Sequence, residues 1–327
     1  MPTVSEWKVP QAAQPKPGEY GYDLDTALAS VVGIKSTVPD DAFTADILGT
    51  ERAGNGAVIN NRGLVLTIGY LITEADSIWL TTFDGRVVPA TVVGYDQATG
   101  FGLVQALGRL DLPALKLGNS ADAALGERVV VAGAGGRDGA LAARVVARQE
   151  FAGYWEYVLD EAIFTAPAHP HWGGAAVIGS AGELIGIGSL QLEAAVAGKS
   201  GQTRHLNMIV PIDLLKPILD DLMTTGRAAG KPRPWLGLYA TEVDDKVVIA
   251  GLASNGPAQQ AGLRPGDIVT AVDGTPISEL ADFFRQVWST GEAGVTVPLT
   301  IYRDRHNLEL SVLSTDRSKL LKAPRLQ

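Results

Sequence analysis

The sequence contains no cysteine, which excludes structural disulfides, thiolate metal sites and a cysteine nucleophile together. No uninterrupted apolar run reaches the roughly 18 residues of a transmembrane helix, and Met1–Asp25 lacks the apolar stretch of a signal peptide. Basic residues are in deficit, because 27 Lys and Arg face 36 Asp and Glu and give a net charge of -9. Neither membrane insertion nor nucleic-acid binding is therefore expected.

What is present indicates a globular chain of more than one domain. The chain has 327 residues, of which 46% are hydrophobic, and at roughly 150 residues per domain this length predicts two domains, or three small ones. Proline, glycine and basic residues mark a linker before a compact mixed module. The expected organisation is an irregular arm at 1–23, a strand-rich domain at 24–226, a linker at 227–234, a small module at 235–315 and a tail at 316–327.

Short apolar runs separated by turn residues indicate a mainly β fold. Asp84-Gly85 between residues 78–83 and 86–93 is a strong hairpin signal, and repeated hairpins favour a barrel or a sandwich. The first long helical periodicity predicts an amphipathic helix from Pro211 to Gly226. In the small module, strands are expected at 236–239, 247–249, around Ile268 and at 295–302, and helices at 257–261 and 277–289.

Several separated motifs, in the same order, resemble the HtrA (Deg) family of trypsin-like serine proteases. They are Gly54–Ile59, Gly63–Thr67, Leu112–Gly118, Gly182–Ile187 and Val210–Asp213, followed by Pro234–Leu238, Gly256–Asp267 and Val272–Gly274. The resemblance covers about residues 27 to 315. It implies a trypsin-like double β-barrel followed by a small PDZ domain.

The resemblance also locates the catalytic positions of such a protease, and none carries the expected residue. The histidine base is replaced by Tyr70, the orienting aspartate by Gly100 and the nucleophilic serine by Trp172. In the oxyanion loop, which includes His171, Pro170 occupies the position of a glycine whose N–H would be needed, and proline has no N–H to donate. The resemblance thus implies an inactive pseudoprotease with no catalytic residue.

Other readings of the polar residues remain open. An active endopeptidase would use Ser180 or Ser189 with an unrecognised base, and His169 with His171 forms an alternating pair that could bind a metal. We expect solvated loop histidines instead, and surface positions for His205 and His306. The run Gly133–Gly139 lacks the lysine of a phosphate loop and is expected to be a turn. Neither a cofactor nor a metal is expected.

The PDZ resemblance implies peptide binding by addition of a strand to a sheet edge. The carboxylate-binding loop would be Trp235, Leu236, Gly237, Leu238 and Tyr239. The facing helix would present Leu280, Phe284, Val287 and Trp288, whose spacing makes one apolar face. The alternative is that these side chains only close the core of their own domain.

The expected partners are protein C-termini or unfolded polypeptide, bound by a scaffold, holdase or regulator. Family resemblance implies a homo-oligomer, plausibly a trimer, and a periplasmic location with the leader absent from the sequence; the cytoplasm is the alternative. A further alternative is that both sites are vestigial and the protein is purely an assembly partner.

Overall fold

The computed structural model describes residues 8–195 and 203–322, which form two compact units. The first contains the chain up to Gln149 and Glu161–Ala228, and the second contains Glu150–Asp160 and Ala229–Lys322. The domain boundaries expected from the sequence assign residues 150–160 to the strand-rich domain. In the structure this segment groups with the second unit, where the Glu156 carboxylate accepts from the Gly237 N–H.

The first unit contains two closed antiparallel barrels. The first barrel follows the strand order β1-β2-β3-β6-β5-β4. Its strands are β1 (Val31–Thr37), β2 (Glu51–Val58), β3 (Leu64–Ile68), β4 (Ser77–Thr81), β5 (Val87–Tyr95) and β6 (Phe101–Ala106). The second follows the order β10-β11-β12-β9-β8-β7. Its strands are β7 (Arg128–Ala132), β8 (Ala140–Gly153), β9 (Tyr157–Ala166), β10 (Ala176–Ile178), β11 (Leu184–Ala195) and β12 (Thr203–Pro211).

The hairpin expected at Asp84-Gly85 is confirmed. Strands β4 and β5 pair antiparallel with Thr81 opposite Val87. Gly85 takes a φ of +84°, which glycine adopts without a Cβ penalty. Its N–H donates to the Thr82 carbonyl at 2.9 Å. The local turn chemistry therefore sets the register of the two strands.

The helix predicted from Pro211 to Gly226 is wrong in its first half. Pro211 ends β12, a short 3-10 turn covers Ile212–Leu214, and the α-helix spans only Leu219–Thr225 before Gly226 closes it at a φ of +77°. The Asp213 carboxylate accepts from the Ser120 hydroxyl and the Ala121 N–H, which holds the segment in the turn. Two further α-helices of this unit lie earlier in the chain: α1 (Leu24–Ala29) and α2 (Ala45–Leu48); the helix after β12 is α3 (Leu219–Thr225).

The arm expected to be irregular contains ordered turns. Short 3-10 turns cover Gln11–Ala13 and Pro17–Glu19. Val9 is buried, and its N–H donates to the Asp138 carbonyl at 2.8 Å. An apolar contact and a main-chain bond thus anchor a segment that its proline content alone would leave unstructured.

The second unit is a sheet covered by two helices. The strands follow the order β13-β14-β15-β17-β18, with β16 paired to β15. They are β13 (Leu238–Val243), β14 (Lys246–Leu252), β15 (Ile268–Val272), β16 (Thr275–Pro276), β17 (Thr296–Arg303) and β18 (His306–Leu313), and the helices are α4 (Pro257–Gln260) and α5 (Leu280–Ser289). Helix α5 starts three residues later than the expected 277–289. Within residues 8–195 and 203–322, no helix is long and apolar enough to cross a membrane.

Candidate functional site

The positions predicted for the protease triad meet at one place in the first unit. Tyr70 lies in the 3-10 turn Gly69–Leu71 that follows β3. The Gly69 N–H donates to the Gly100 carbonyl at 2.6 Å. This bond holds the turn Gly69–Leu71 next to the residue that precedes β6. Trp172 lies in the loop between β9 and β10. The barrel framework therefore gathers the three positions, although their residue types differ from those of a protease.

Tyr70 lies beside the segment that contains Trp172. The Tyr70 hydroxyl donates to the main-chain oxygen of Ser189 at 2.9 Å. A Cβ built on Gly173, the residue after Trp172, would lie 2.8 Å from the Tyr70 hydroxyl. Burial raises the pKa of Tyr70 well above its ordinary value, and the Trp172 side chain only partly opposes this. The phenol therefore stays protonated at neutral pH and cannot act as a general base.

The position expected for the orienting carboxylate has no side chain. Gly100 takes a φ of +83°, and its N–H donates to the Asp96 carbonyl at 2.8 Å. The Asp96 carboxylate itself accepts from the N–H and the hydroxyl of Thr99, both at 2.7 Å. Asp96 is the acidic residue nearest to Gly100 in the sequence. Its carboxylate stabilises the turn in which it lies.

The loop that would form an oxyanion hole is fixed by side-chain amides. Asn207 accepts from the His169 N–H at 2.6 Å and donates to the His169 carbonyl at 3.1 Å. The His171 N–H donates to the His169 Nδ1 at 3.0 Å, and the His171 carbonyl accepts from the Asn55 amide at 2.9 Å. Pro170, between them, offers no N–H. The main-chain groups of His169 and His171, on either side of Pro170, are thus hydrogen-bonded within the protein.

In the second unit, the N–H groups of the loop Trp235–Tyr239 bind a side-chain carboxylate of the same chain. The Glu156 carboxylate accepts from the N–H groups of Leu236 at 3.1 Å, Gly237 at 2.8 Å and Leu238 at 3.3 Å. Gly237 takes a φ of +73°, and a Cβ there would lie 2.8 Å from the Trp235 ring. Burial raises the pKa of Glu156 to about 7, against the three N–H bonds, which favour the ionised form.

Of the four α5 residues predicted to face a bound peptide, three are buried and one is half-buried. Leu280, Phe284 and Val287 of α5 are buried in the core of the second unit. Trp288 is half-buried, stacks on Phe284 with ring centroids 6.1 Å apart and carries the Arg233 guanidinium 4.4 Å above its ring. Tyr239, at the end of the predicted loop, lies in β13 with its ring 6.0 Å from that of Tyr154.

Comparison with known proteins identifies both units. Residues 54–187 match the family model described as a trypsin-like peptidase domain, and residues 234–313 match that of a PDZ domain. Over 274 residues the chain is 29% identical to a probable periplasmic serine endoprotease, DegP-like, of Pseudomonas fluorescens, covering 79% of this chain and 56% of that protein. It is also 29% identical over 313 residues to the serine protease PepD of Mycobacterium tuberculosis, covering 89% of this chain and 66% of that protein. The chain therefore combines a trypsin-like peptidase domain with a PDZ domain and is similar to DegP-like serine proteases.

A solved structure agrees with this assignment at the level of the fold. The HtrA-type protease AlgW, solved with a tripeptide, superposes with a TM-score of 0.52 at 22% identity and covers 92% of this chain and 97% of its own. The expected mainly β fold, a trypsin-like domain followed by a PDZ domain, is thereby confirmed. The chain spans about half the length of the Pseudomonas relative.

The other histidines and serines considered in the sequence analysis differ in their exposure to solvent. His169, expected in a solvated loop, is only 1% exposed, and its Nε2 lies 3.0 Å from the Gly139 carbonyl. His205 and His306 are exposed as expected. Ser189 is buried, whereas Ser180 is exposed on the turn after β10. Within the described ranges, no three His, Asp or Glu side chains are grouped closely enough to hold a metal ion.

Acidification is expected to destabilise the trypsin-like domain through His169. Burial lowers its pKa from 6.5 to about 4, so the folded state binds fewer protons than the unfolded state. The stabilisation from His169 is complete above the unfolded value and is lost as the pH falls towards about 4, at roughly 1.4 kcal/mol per pH unit. Urea unfolding across this window should show a shallower pH slope for His169→Asn than for the unmodified protein. His306→Asn, which removes an exposed histidine, controls for substitution; equal slopes for all three proteins would contradict the argument.

Two residues of the site were missed by sequence reasoning. Asn55, between Gly54 and Gly56, donates to two carbonyls of the oxyanion loop and accepts from the Ala134 N–H at 2.9 Å. Glu156 lies in a hairpin far from the PDZ motifs in sequence. Its only sequence signal is a lone acidic residue among aromatic neighbours, which does not identify a partner 80 residues away.

Proposed function

We propose that this HtrA-type homologue does not cleave peptide bonds and acts as a scaffold, holdase or regulator that binds polypeptide C-termini or unfolded segments through its PDZ domain. The observation that carries the first half is the hydrogen bond of Tyr70, at the position that the resemblance gives for the base. The phenol proton is directed at the Ser189 carbonyl, and the indole of Trp172, at the position of the nucleophile, offers no oxygen or sulfur to attack a peptide bond.

The size of the missing catalytic contribution supports the proposal. Loss of a serine-protease triad lowers turnover about a millionfold, which corresponds to roughly 8 kcal/mol of activation free energy. The residual rate of such an enzyme depends on the oxyanion hole, and one missing donor removes about 10²- to 10³-fold. Pro170 supplies no such donor.

The second half of the proposal rests on the loop Trp235–Tyr239. Its consecutive main-chain N–H groups converge on a carboxylate, which is the chemistry that recognises a protein C-terminus. The AlgW structure with a tripeptide is a fold relative with a bound peptide. We also propose a homo-oligomer, a trimer as in the family, and a periplasmic location like that in the name of the Pseudomonas relative.

The proposal predicts no proteolysis of an unfolded substrate. The purified full chain, incubated with fluorescein-labelled casein, should release no more fluorescent peptide than buffer does. The proposal is wrong if casein is cleaved and a serine-directed inhibitor abolishes the cleavage. Ser180→Ala and Ser189→Ala would then identify the serine; the second substitution keeps the carbonyl to which Tyr70 donates.

A further inference from the structure

The segment Glu150–Asp160 forms the tip of the hairpin between β8 and β9 and belongs to the second unit. It contacts the sheet at two points. The Tyr154 carbonyl accepts from the Ala240 N–H of β13 at 2.9 Å. Two residues later, the Glu156 carboxylate accepts from the N–H groups of the loop Trp235–Tyr239.

These contacts match what a bound peptide makes in a PDZ domain. Such a peptide pairs its main chain with an open sheet edge and places its terminal carboxylate on consecutive loop N–H groups. Strand β13 lies at one end of the strand order, so this edge is available for pairing. The hairpin makes one such main-chain bond, from the Ala240 N–H to the Tyr154 carbonyl, and two residues later the side chain of Glu156 reaches the loop. The side-chain carboxylate takes the place of a terminal one.

Further contacts hold the hairpin in this position. Arg285 of α5 forms ion pairs with Glu150 and Asp160, each at 2.5 Å, on the two arms of the hairpin. Val158 is 9% exposed and is part of the hydrophobic core of the second unit. Glu156 is 6% exposed, and the Arg317 charge favours its ionised form. The Glu156 carboxylate is therefore shielded from solvent, and its hydrogen-bond donors are the N–H groups of the loop.

We propose that residues 150–160 are an internal ligand of the PDZ domain, with Glu156 standing in for a C-terminal carboxylate. An external C-terminal peptide then binds only by displacing the hairpin. This inference rests on the proposed peptide-binding function and specifies its regulation. An internal ligand acts at a high effective concentration, so the unmodified protein binds such peptides weakly.

The test compares peptide affinities of full-length variants by fluorescence anisotropy. The probes are fluorescein-labelled octapeptides ending in Val, Leu, Ile or Phe, each made with a free carboxylate and with a terminal amide. Glu156→Ala should raise the affinity for the free-carboxylate peptides about 10- to 100-fold, because the loop loses its competing charged acceptor. Arg285→Ala, which loosens the hairpin and leaves the loop intact, should raise it about 2- to 5-fold. The amidated peptides should bind weakly to every variant.

A matched control is Glu309→Ala, which removes an exposed carboxylate of the same unit that bonds to the Thr300 hydroxyl. It should leave affinity unchanged. Equal affinity of the unmodified protein and Glu156→Ala would overturn the internal ligand while leaving peptide binding in place.

Hydrogen exchange separates the inference from the proposed function. In the absence of peptide, the amides of Leu236, Gly237 and Leu238 should exchange faster in Glu156→Ala than in the unmodified protein, while the amides of β17 stay protected. If no variant binds peptide, the proposed function fails, and faster exchange at the loop alone still supports the internal contact. Unchanged exchange at these three amides would overturn it.

Discussion

Replacing Gly174 by alanine is expected to destabilise the trypsin-like domain by about 4 kcal/mol or more, which is exceptional for a single substitution. Gly174 has a φ of +73°, and a Cβ there would lie 1.9 Å from the Asn55 main-chain oxygen. That oxygen accepts from the Thr67 hydroxyl at 2.6 Å. The Asn55 N–H donates to the Gly173 carbonyl at 2.8 Å. The Gly173–Gly174 segment therefore cannot move away without losing this bond, and Asn55 cannot move away without also losing its bond from Thr67. Urea unfolding, followed by hydrogen exchange in β2 and β3, measures the loss.

Gly85→Ala is the matched control for this substitution. Gly85 has a similar φ of +84°, but nothing lies within 4 Å of a Cβ built there. Only the left-handed backbone penalty of about 1 to 2 kcal/mol should remain. Equal losses at Gly85 and Gly174 would show that close packing against Asn55 does not hold the oxyanion loop.

Asp267→Ala is expected to destabilise the PDZ domain by about 3 kcal/mol. Asp267 is 1% exposed and pairs with Arg303 through both carboxylate oxygens, each at 2.6 Å. It also accepts from the Arg264 N–H at 2.8 Å. Its removal leaves a guanidinium without its carboxylate and a turn without its acceptor. The free energy of unfolding of the second unit, measured by hydrogen exchange in β15 and β17, reports the effect.

An exposed ion pair of the same unit provides the comparison. Glu292 pairs with Lys231 at the surface, where side-chain exposures are 52% and 76%. Glu292→Ala should cost about 1 kcal/mol or less, because solvent screens the pair. A loss at Asp267 no greater than that at Glu292 would contradict the role assigned to the enclosed pair.

The fold was predictable because local signals and separated motifs agreed. The Asp84-Gly85 turn set a hairpin by its own chemistry. The segment Pro211–Gly226 was mispredicted because its helical periodicity gave no sign that Asp213 bonds to Ser120, far away in the sequence. Long-range hydrogen bonds of this kind override local propensity and leave no periodic pattern.

The site was predictable only where the resemblance gave positions. It gave Tyr70 and Trp172 as the positions expected for the base and the nucleophile, and in the structure the Tyr70 hydroxyl lies next to Gly173, the residue after Trp172. It could not give the hydrogen bond from Tyr70 to the Ser189 carbonyl, because that bond depends on a main-chain oxygen more than a hundred residues away. The occupant of the PDZ loop was unpredictable for another reason. Glu156 lies 80 residues before Leu236 in the sequence, at the tip of the hairpin between β8 and β9.

The two proposals assign the remaining function of the chain to different places. In the proposed function, the trypsin-like domain contributes a framework in which Tyr70 and Trp172 lie at the positions expected for the base and the nucleophile. The PDZ domain retains the N–H groups that recognise a carboxylate, and residues 150–160 determine when they are available. An interaction partner with an apolar C-terminus would then compete with this segment for the loop.

Covalent labelling tests the loss of proteolytic chemistry most directly. The full chain is incubated with an excess of a fluorophosphonate, which reacts with an activated serine, and the intact mass is measured. We expect an unchanged mass, equal to that of the protein pre-treated with heat. A stoichiometric adduct on one serine, absent after heating and absent in Ser180→Ala or Ser189→Ala, would contradict it.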